Sequence, residues 1–460
     1  MYKKPTDKFT RMTTAPIPGL VTRLAVPTMI SMLVTAFYNM ADTFFVGRIG
    51  TSASAAVGVV FPIMAIIQAC AFFFGHGSGN FISRALGAGQ DDSAARMAAM
   101  GFFCALITGA VLAALGNAFI RPLARLLGST ETILPYAMDY MRIILIGAPW
   151  MMASLVLNNQ LRFQGSAFYS MIGIATGAVI NIALDPLLIF ACHMGIAGAA
   201  LATIISQLVS FCLLLAGTRR GGNLIIRLKN FTPSGKYLLA IVNGGMPSLC
   251  RQGLNSVGTI FLNHGAGVYG DAAIAAMSIV GRLVVFANSC VIGFGQGFQP
   301  VCGFCYGAKK YDRVKAAFWF CVRAATIFLC CAAVIAFAFA PTLVEMFRRG
   351  DEQVKAIGVV ALRAQCLTFP LSAWITLSNM MMQTIGKSVR ASFLAMARQG
   401  IFFVPAVLIL PRLLGLLGLQ ISQPVADVVT FAAAIPLQLS TFREMDAEMA
   451  ARSGDQAKGI

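Results

Sequence analysis

Residues 38–47 read YNMADTFFVG and sit in a run, Leu24 to Val60, that is otherwise almost wholly apolar. A second run of this kind, AVINIALDPLLIF at 178–190, holds Asp185. A carboxyl at the centre of a membrane-spanning helix costs about 2.5–3.5 kcal/mol on insertion scales, so each aspartate needs a partner or a polar cavity. Composition makes the bilayer the solvent here. Of 460 residues, 58% are hydrophobic and 11% charged, and the mean hydropathy is +0.78. A water-facing surface needs about a quarter charged residues. Only helices or closed barrels satisfy the backbone in lipid, and the apolar runs are helix-length, recurring about twelve times between residues 20 and 441. The expected fold class is an all-α integral membrane protein.

The net charge of +18 raises the question of nucleic acid, yet the cations are not gathered into one arm interleaved with aromatics. They alternate by loop. Lys3, Lys4, Lys8, Arg11, Arg84, Arg162, the group Arg219 to Lys236, and Lys309 to Lys315 fall on one side. Arg48, Arg121, Arg125, Arg348 and Arg349 fall on the other. The positive-inside rule then places both termini in the cytoplasm of a multi-pass protein of the cell membrane, with no nucleic-acid partner. The polar, basic start leads straight into a full-length span, so no removable signal is expected. Twelve cysteines are scattered through apolar runs, where they pack as small apolar residues.

The chain repeats itself. A shift of 220 positions brings Pro27 onto Pro247, Gly77 onto Gly297 and Gly87 onto Gly307; after one inserted residue, Arg142 meets Arg363, Asn158 meets Asn379 and Gly165 meets Gly386. Glycines and prolines mark turns, kinks and close helix contacts, so a shared register argues for two copies of a six-helix unit. An even number of spans per copy lets both enter from the same side, with the pseudo-twofold axis along the membrane normal. The expected organisation is a lobe at 1–217, a cytoplasmic linker at 218–236 reading TRRGGNLIIRLKNFTPSGK, and a lobe at 237–460.

Ser31, Thr35, Tyr38, Asn39 and Asp42 recur at three- or four-residue steps, which gives helix 1 one polar face. Asn181 and Asp185 stack likewise on helix 5, and Pro186 frees the carbonyl of Ile182. Oxygens so grouped suit a hard cation such as Na+ at Asp42, Asn181 and Asp185, or a proton carried by a buried carboxyl. Helix–helix bonding is the plainer reading of a single such residue. Two aspartates on polar faces of one six-helix half favour function.

Other motifs fail in context. GAGVYG at 265–270 follows no strand, and GKS at 386–388 has Met381 where a phosphate loop needs its first glycine. Cys302 and Cys305 lack a second pair, and His76, His193 and His264 are dispersed. No nucleophile is paired with a base, so no enzyme and no cofactor are expected. Tyr38, Asn39, Gln252, Asn255 and Met381 are candidates to line a substrate cavity, methionine because its thioether adapts to varied ligands.

NMADTFFVGRIG at the end of helix 1, the ALGAG and YGAKKYD loops, ARQGIFFVP in helix 11 and the duplication together resemble the multidrug and toxic compound extrusion (MATE) transporters, from about Ile17 to Phe442. The resemblance implies cation-coupled export of amphipathic, often cationic, compounds through a V-shaped pair of six-helix lobes; because two complete lobes remove the need for a partner, a functional monomer is expected. It also implies a coupling site at Asp42, Asn181 and Asp185, completed by Tyr140 of helix 4 and Thr203 of helix 6. Some members carry acidic residues on helices 7 and 10, where this chain offers Arg251, Gln252, Asn255, Trp374 and Gln383. The burden of coupling then falls on the first lobe. A lipid-linked oligosaccharide flippase of the wider superfamily is the nearest alternative, and a membrane enzyme or receptor the more distant one.

Overall fold

The computed structural model describes residues 5–347 and 350–458. Lys3, Lys4, Arg348 and Arg349 lie outside the described residues. Short helix α1 (Pro5–Thr14) precedes the first lobe, which comprises α2 (Ile17–Gly47), α3 (Thr51–Gly87), α4 (Asp91–Ala118), the short α5 (Ile120–Leu126), α6 (Leu134–Phe163), α7 (Ala167–Pro186) and α8 (Gly195–Thr218). The second comprises α9 (Gly235–Gly267), α10 (Asp271–Gly307), α11 (Tyr311–Ala338), the short α12 (Ala340–Phe347), α13 (Glu352–Ile385), α14 (Ser388–Met396), α15 (Phe403–Leu414) and α16 (Leu416–Lys458). Single π turns interrupt the fifth and eleventh spans at Leu187–Ala191 and Ala397–Ile401.

Among the described residues, eleven helices have the length and hydropathy of a membrane span. The twelfth expected span is α9, whose 33 residues reach about 50 Å but include Asn243, Arg251, Gln252, Asn255, Asn263 and His264. These polar residues lower its hydropathy, and they matter below. Local signals match the helix ends. Asp91 and Asp92 open α4 and Asp312 opens α11, complementing the helix dipole, and Asp351 Oδ1 accepts from Val354 N at 3.1 Å to cap α13.

The repeat read from glycines is a repeat of contacts. A Cβ on Gly87 would lie 2.2 Å from the Phe304 carbonyl oxygen, and one on Gly307 would lie 2.0 Å from that of Arg84. The two contacts interchange under the same shift, so α3 and α10 cross on the pseudo-twofold axis. Asn158 Nδ2 donates to Ser170 O at 3.3 Å, and Asn379 Nδ2 donates to Ala391 O at 2.6 Å. Each bond closes a tight turn at a glycine with positive φ, Gly165 (φ 76) or Gly386 (φ 90). Arg142 and Arg363, which the repeat also pairs, are exposed on the flanks. Because backbone faces the missing Cβ at the crossing, Gly87→Ala and Gly307→Ala are each expected to destabilise the protein by about 1–3 kcal/mol, to a similar extent. Thermal unfolding in detergent measures it; a silent substitution at either position contradicts the crossing.

The lobes meet at the end carrying loops 88–90 and 308–310. Thr28 Oγ1 donates to Gly293 O at 2.6 Å, Gly297 abuts Ala25, and Gly77 abuts Ile241. Arg84 Nη1 donates to Thr384 O. The segment around α1 straps the same end: Lys8 Nζ donates to Asn223 Oδ1 at 2.7 Å, Arg313 Nη2 donates to Ala15 O at 2.6 Å, and Met12 is fully buried. Toward the other end, Phe37, Asn39 and Met40 of α2 and Asn255 and Val257 of α9 are exposed. Beyond the last lobe-to-lobe contacts, Gly253 of α9 and Gly281 of α10 face open space, so the lobes part there into a cleft.

Candidate functional site

Within the first lobe, α2 packs on α7, α7 on α8 and α6 on α8. Asn181 and Asp185, one turn apart on α7, are both buried, with Asp185 at 0% exposure. Gly177 abuts Ser206 and Ser210 while Gly198 abuts Leu188, so this antiparallel crossing sets Thr203 opposite the Asn181–Asp185 turn. Thr203 is buried and donates to Ala199 O at 3.1 Å. Tyr140 is buried on α6, its hydroxyl 3.7 Å from Met64 Sδ, and it lies within Coulombic reach of Asp42, Tyr38 and Asp185. Asp42 and Tyr38 are half-buried on α2. The structure therefore gathers the expected first-lobe residues into one region.

The unusual property of that region is unmet bonding capacity. Both carboxylate oxygens of Asp185, the amide oxygen and nitrogen of Asn181, and Asp42 Oδ1 are buried without a hydrogen-bond partner. Each such group costs about 1–3 kcal/mol, more if charged, so the cluster carries a concentrated, uncompensated desolvation cost. Its oxygens fit a hard monovalent cation or a proton. No group of three or more His, Cys, Asp or Glu suited to a transition metal occurs among the described residues. The π turn directly after Pro186 absorbs the backbone irregularity that the proline imposes beside Asp185.

The cavity candidates divide. Asn39 and Asn255 are exposed and Tyr38 and Gln252 half-buried, whereas Met381 is buried in the second-lobe core with Gln438 Nε2 3.2 Å from its sulfur. Met381 does not line the cleft: three consecutive methionines cannot share one helix face, and its face points inward. Arg84 and Arg162, counted above with the loop cations, are helix residues held by the opposite lobe. Arg162 is 2% exposed and donates to Gln296 Oε1 at 2.7 Å and to Asn159 Oδ1 at 2.7 Å, with His76 Nε2 at 3.2 Å. An arginine only donates, so His76 accepts at Nε2 and donates from Nδ1 to Ser248 Oγ, 2.9 Å away. Gln383 Nε2 completes the seam, donating to Ser248 Oγ and Gly244 O at 2.8 Å each.

A further intramembrane carboxylate is present in the second lobe. Asp427 on α16 is 0% exposed and paired with Arg398 of the second π turn, Nε to Oδ1 at 2.9 Å. Gln423 Nε2 donates to Oδ1 at 3.0 Å, Gln365 Nε2 to Oδ2 at 2.9 Å, and Arg398 Nη2 to Ser372 Oγ at 2.9 Å. The seventh span (α9) has no carboxylate and the tenth (α13) has one only at its first residue, Glu352, but the twelfth (α16) holds Asp427 within its apolar run. The signal was available: opposite charges stand alone in ARQGI and PVADVV, both in apolar surroundings. Asp427 is satisfied where Asp185 is not.

The two lobes match one family profile twice, MatE, at residues 27–187 and 247–408, which are the spans the repeat register relates. The chain is 28% identical to the multidrug export protein MepA of Staphylococcus haemolyticus over 88% of its own length and 89% of the relative's. It is 25% identical to MepA of Staphylococcus aureus over 92% and 93%. A crystal structure of MATE in complex with MaL6 superposes with a TM-score of 0.91 at 26% identity, covering 95% of this chain and 99% of that one. An outward-facing multidrug resistance MATE family transporter of the MOP superfamily superposes with a TM-score of 0.90 at 26% identity, covering 97% and 100%. With the profile matched across most of both lobes, a two-lobe helical architecture and a membrane-embedded composition, the chain belongs to the MatE family.

Proposed function

We propose that this protein exports amphipathic, often cationic, small molecules from the cytoplasm by antiport with Na+ or H+, as a monomer of the cell membrane with both termini cytoplasmic. The observation that carries the coupling reading is the unsatisfied cluster at Asp42, Asn181 and Asp185. A cation or proton that binds there relieves buried carboxyl groups, and it drives a conformational change only if it binds the two access states unequally. The open end of the cleft admits exchange with the outside. The closed end, held by Arg162, Gln296, His76 and Ser248, must separate before the cleft faces the cytoplasm.

The membrane potential adds about 2.3 kcal/mol per charge per 100 mV, enough to bias a turnover. In proteoliposomes, outward movement of a cationic dye is expected to be accompanied by opposite movement of Na+ or H+, each followed by its own indicator. Dye movement indifferent to both gradients refutes the antiport reading.

A further inference from the structure

The floor of the cleft carries a cation with no counter-charge. On α9, Gly244, Gly245 and Ser248 face the first lobe, touching Gly77, Phe73 and His76. Leu254 and Gly258 face Gly400 and Gln399 of the second lobe instead. Arg251, seven residues from both Gly244 and Gly258, lies on the border between these two faces, with Asn255 one turn farther along, so the pair stands just past the last lobe-to-lobe bond, at the mouth of the cleft. Arg251 is half-buried and, among the described residues, has neither hydrogen bond nor ion pair. Arg84, Arg162 and Arg398, by contrast, are all bonded. Arg251 also stands within Coulombic reach of Arg162 and His76, both committed to the seam below it.

The carboxylate nearest that level, Asp427, is already engaged by Arg398, Gln365 and Gln423 inside the second lobe. The repeat aligns Arg251 with Ser31, and Asp42 lies roughly three helical turns beyond Ser31 toward the open end. A charge at membrane depth with no partner marks a binding function. Its guanidinium presents a planar fork that matches a carboxylate or phosphate.

We infer that Arg251 is a specificity-determining residue that binds an anionic group, carboxylate or phosphate, on the exported amphiphile, so that transported compounds include zwitterions and anions as well as cations. This rests on the cleft being the transport pathway and names the substrate chemistry of that site.

The test is equilibrium binding of rhodamine B, which carries a free benzoate, and of its ethyl ester, which does not. Binding is read by fluorescence polarisation on the intact protein in phosphatidylcholine nanodiscs. The parent is expected to bind the benzoate at least about tenfold more tightly than the ester, the range of a charge-assisted hydrogen bond. Arg251→Gln is expected to erase that ratio by weakening benzoate binding alone, the retained ester reporting an intact cleft. Arg251→Lys keeps the charge and is expected to keep the preference. Equal affinity for both dyes in the parent, or an unchanged ratio in Arg251→Gln, overturns the assignment. If Arg251→Gln binds neither dye, the lysine variant decides, and equal affinity there also overturns it.

A second arm replaces part of the lipid with phosphatidylglycerol. A preference that persists assigns Arg251 to the free compound; one that disappears transfers the residue to a lipid phosphate and overturns the substrate assignment. Binding needs no ion gradient, so the outcome is independent of the antiport assay. Binding of neither dye to the parent refutes the cleft as a pathway, a failure distinct from loss of the benzoate preference.

Discussion

Asp185→Asn is expected to cut ion-driven export by about 5–150-fold, the span of an ordinary coupling free energy, while raising the thermal unfolding midpoint of the protein. The two effects have one cause. Asp185 is fully buried with both oxygens unpartnered, in a lobe whose neighbouring amide, Asn181, is unpartnered too. Removing the ionisable oxygen relieves a desolvation cost of about 1–3 kcal/mol or more. Under the proposed antiport it also removes the group whose occupancy distinguishes the two access states. A third readout separates coupling from packing. The parent is expected to gain stability as its coupling ion is added, by about 2.7 kcal/mol at a hundredfold excess over the dissociation constant. Asp185→Asn is expected to gain little. A variant that exports as well as the parent, or that unfolds at a lower temperature, contradicts the assignment.

Much of this site was legible because charge in an apolar run is a strong signal that depends on no distant contact. Asp42 and Asp185 stood out for that reason, and helical spacing alone put Asn181 with Asp185. The two lobes were legible because Gly87 and Gly307 mark the same crossing twice. What the sequence hid was set by partners far along the chain. Arg84 and Arg162 sit near helix ends and read as loop cations; the other lobe buries them through Thr384 and Gln296. Met381 could not be assigned a face without knowing that Gln438 packs beside it. α1 was unread because its docking uses Lys310 and Arg313, some 300 positions away.

Arg398 and Asp427 show the opposite energetic sign. Asp427→Leu is expected to destabilise the protein by about 3–5 kcal/mol, because it leaves the Arg398 guanidinium, 15% exposed, without its counter-charge inside the second lobe. The companion variant Arg398→Met leaves Asp427 with neutral donors alone, Gln365, Gln423 and Thr368, and is expected to destabilise as well. In the double variant the uncompensated charge is gone, so more than half of the loss is expected to return, less the cost of Gln365, Gln423 and Ser372 groups left without partners. Thermal unfolding of the four proteins closes the cycle. Its transport counterpart decides what the pair is for. Since every oxygen of Asp427 is already bonded, a coupling ion gains nothing there that it gains at Asp185, and the double variant is expected to retain ion-driven export. If it folds to parental stability but no longer exports, the second lobe takes part in coupling and the satisfied pair is a switch that opens during the cycle.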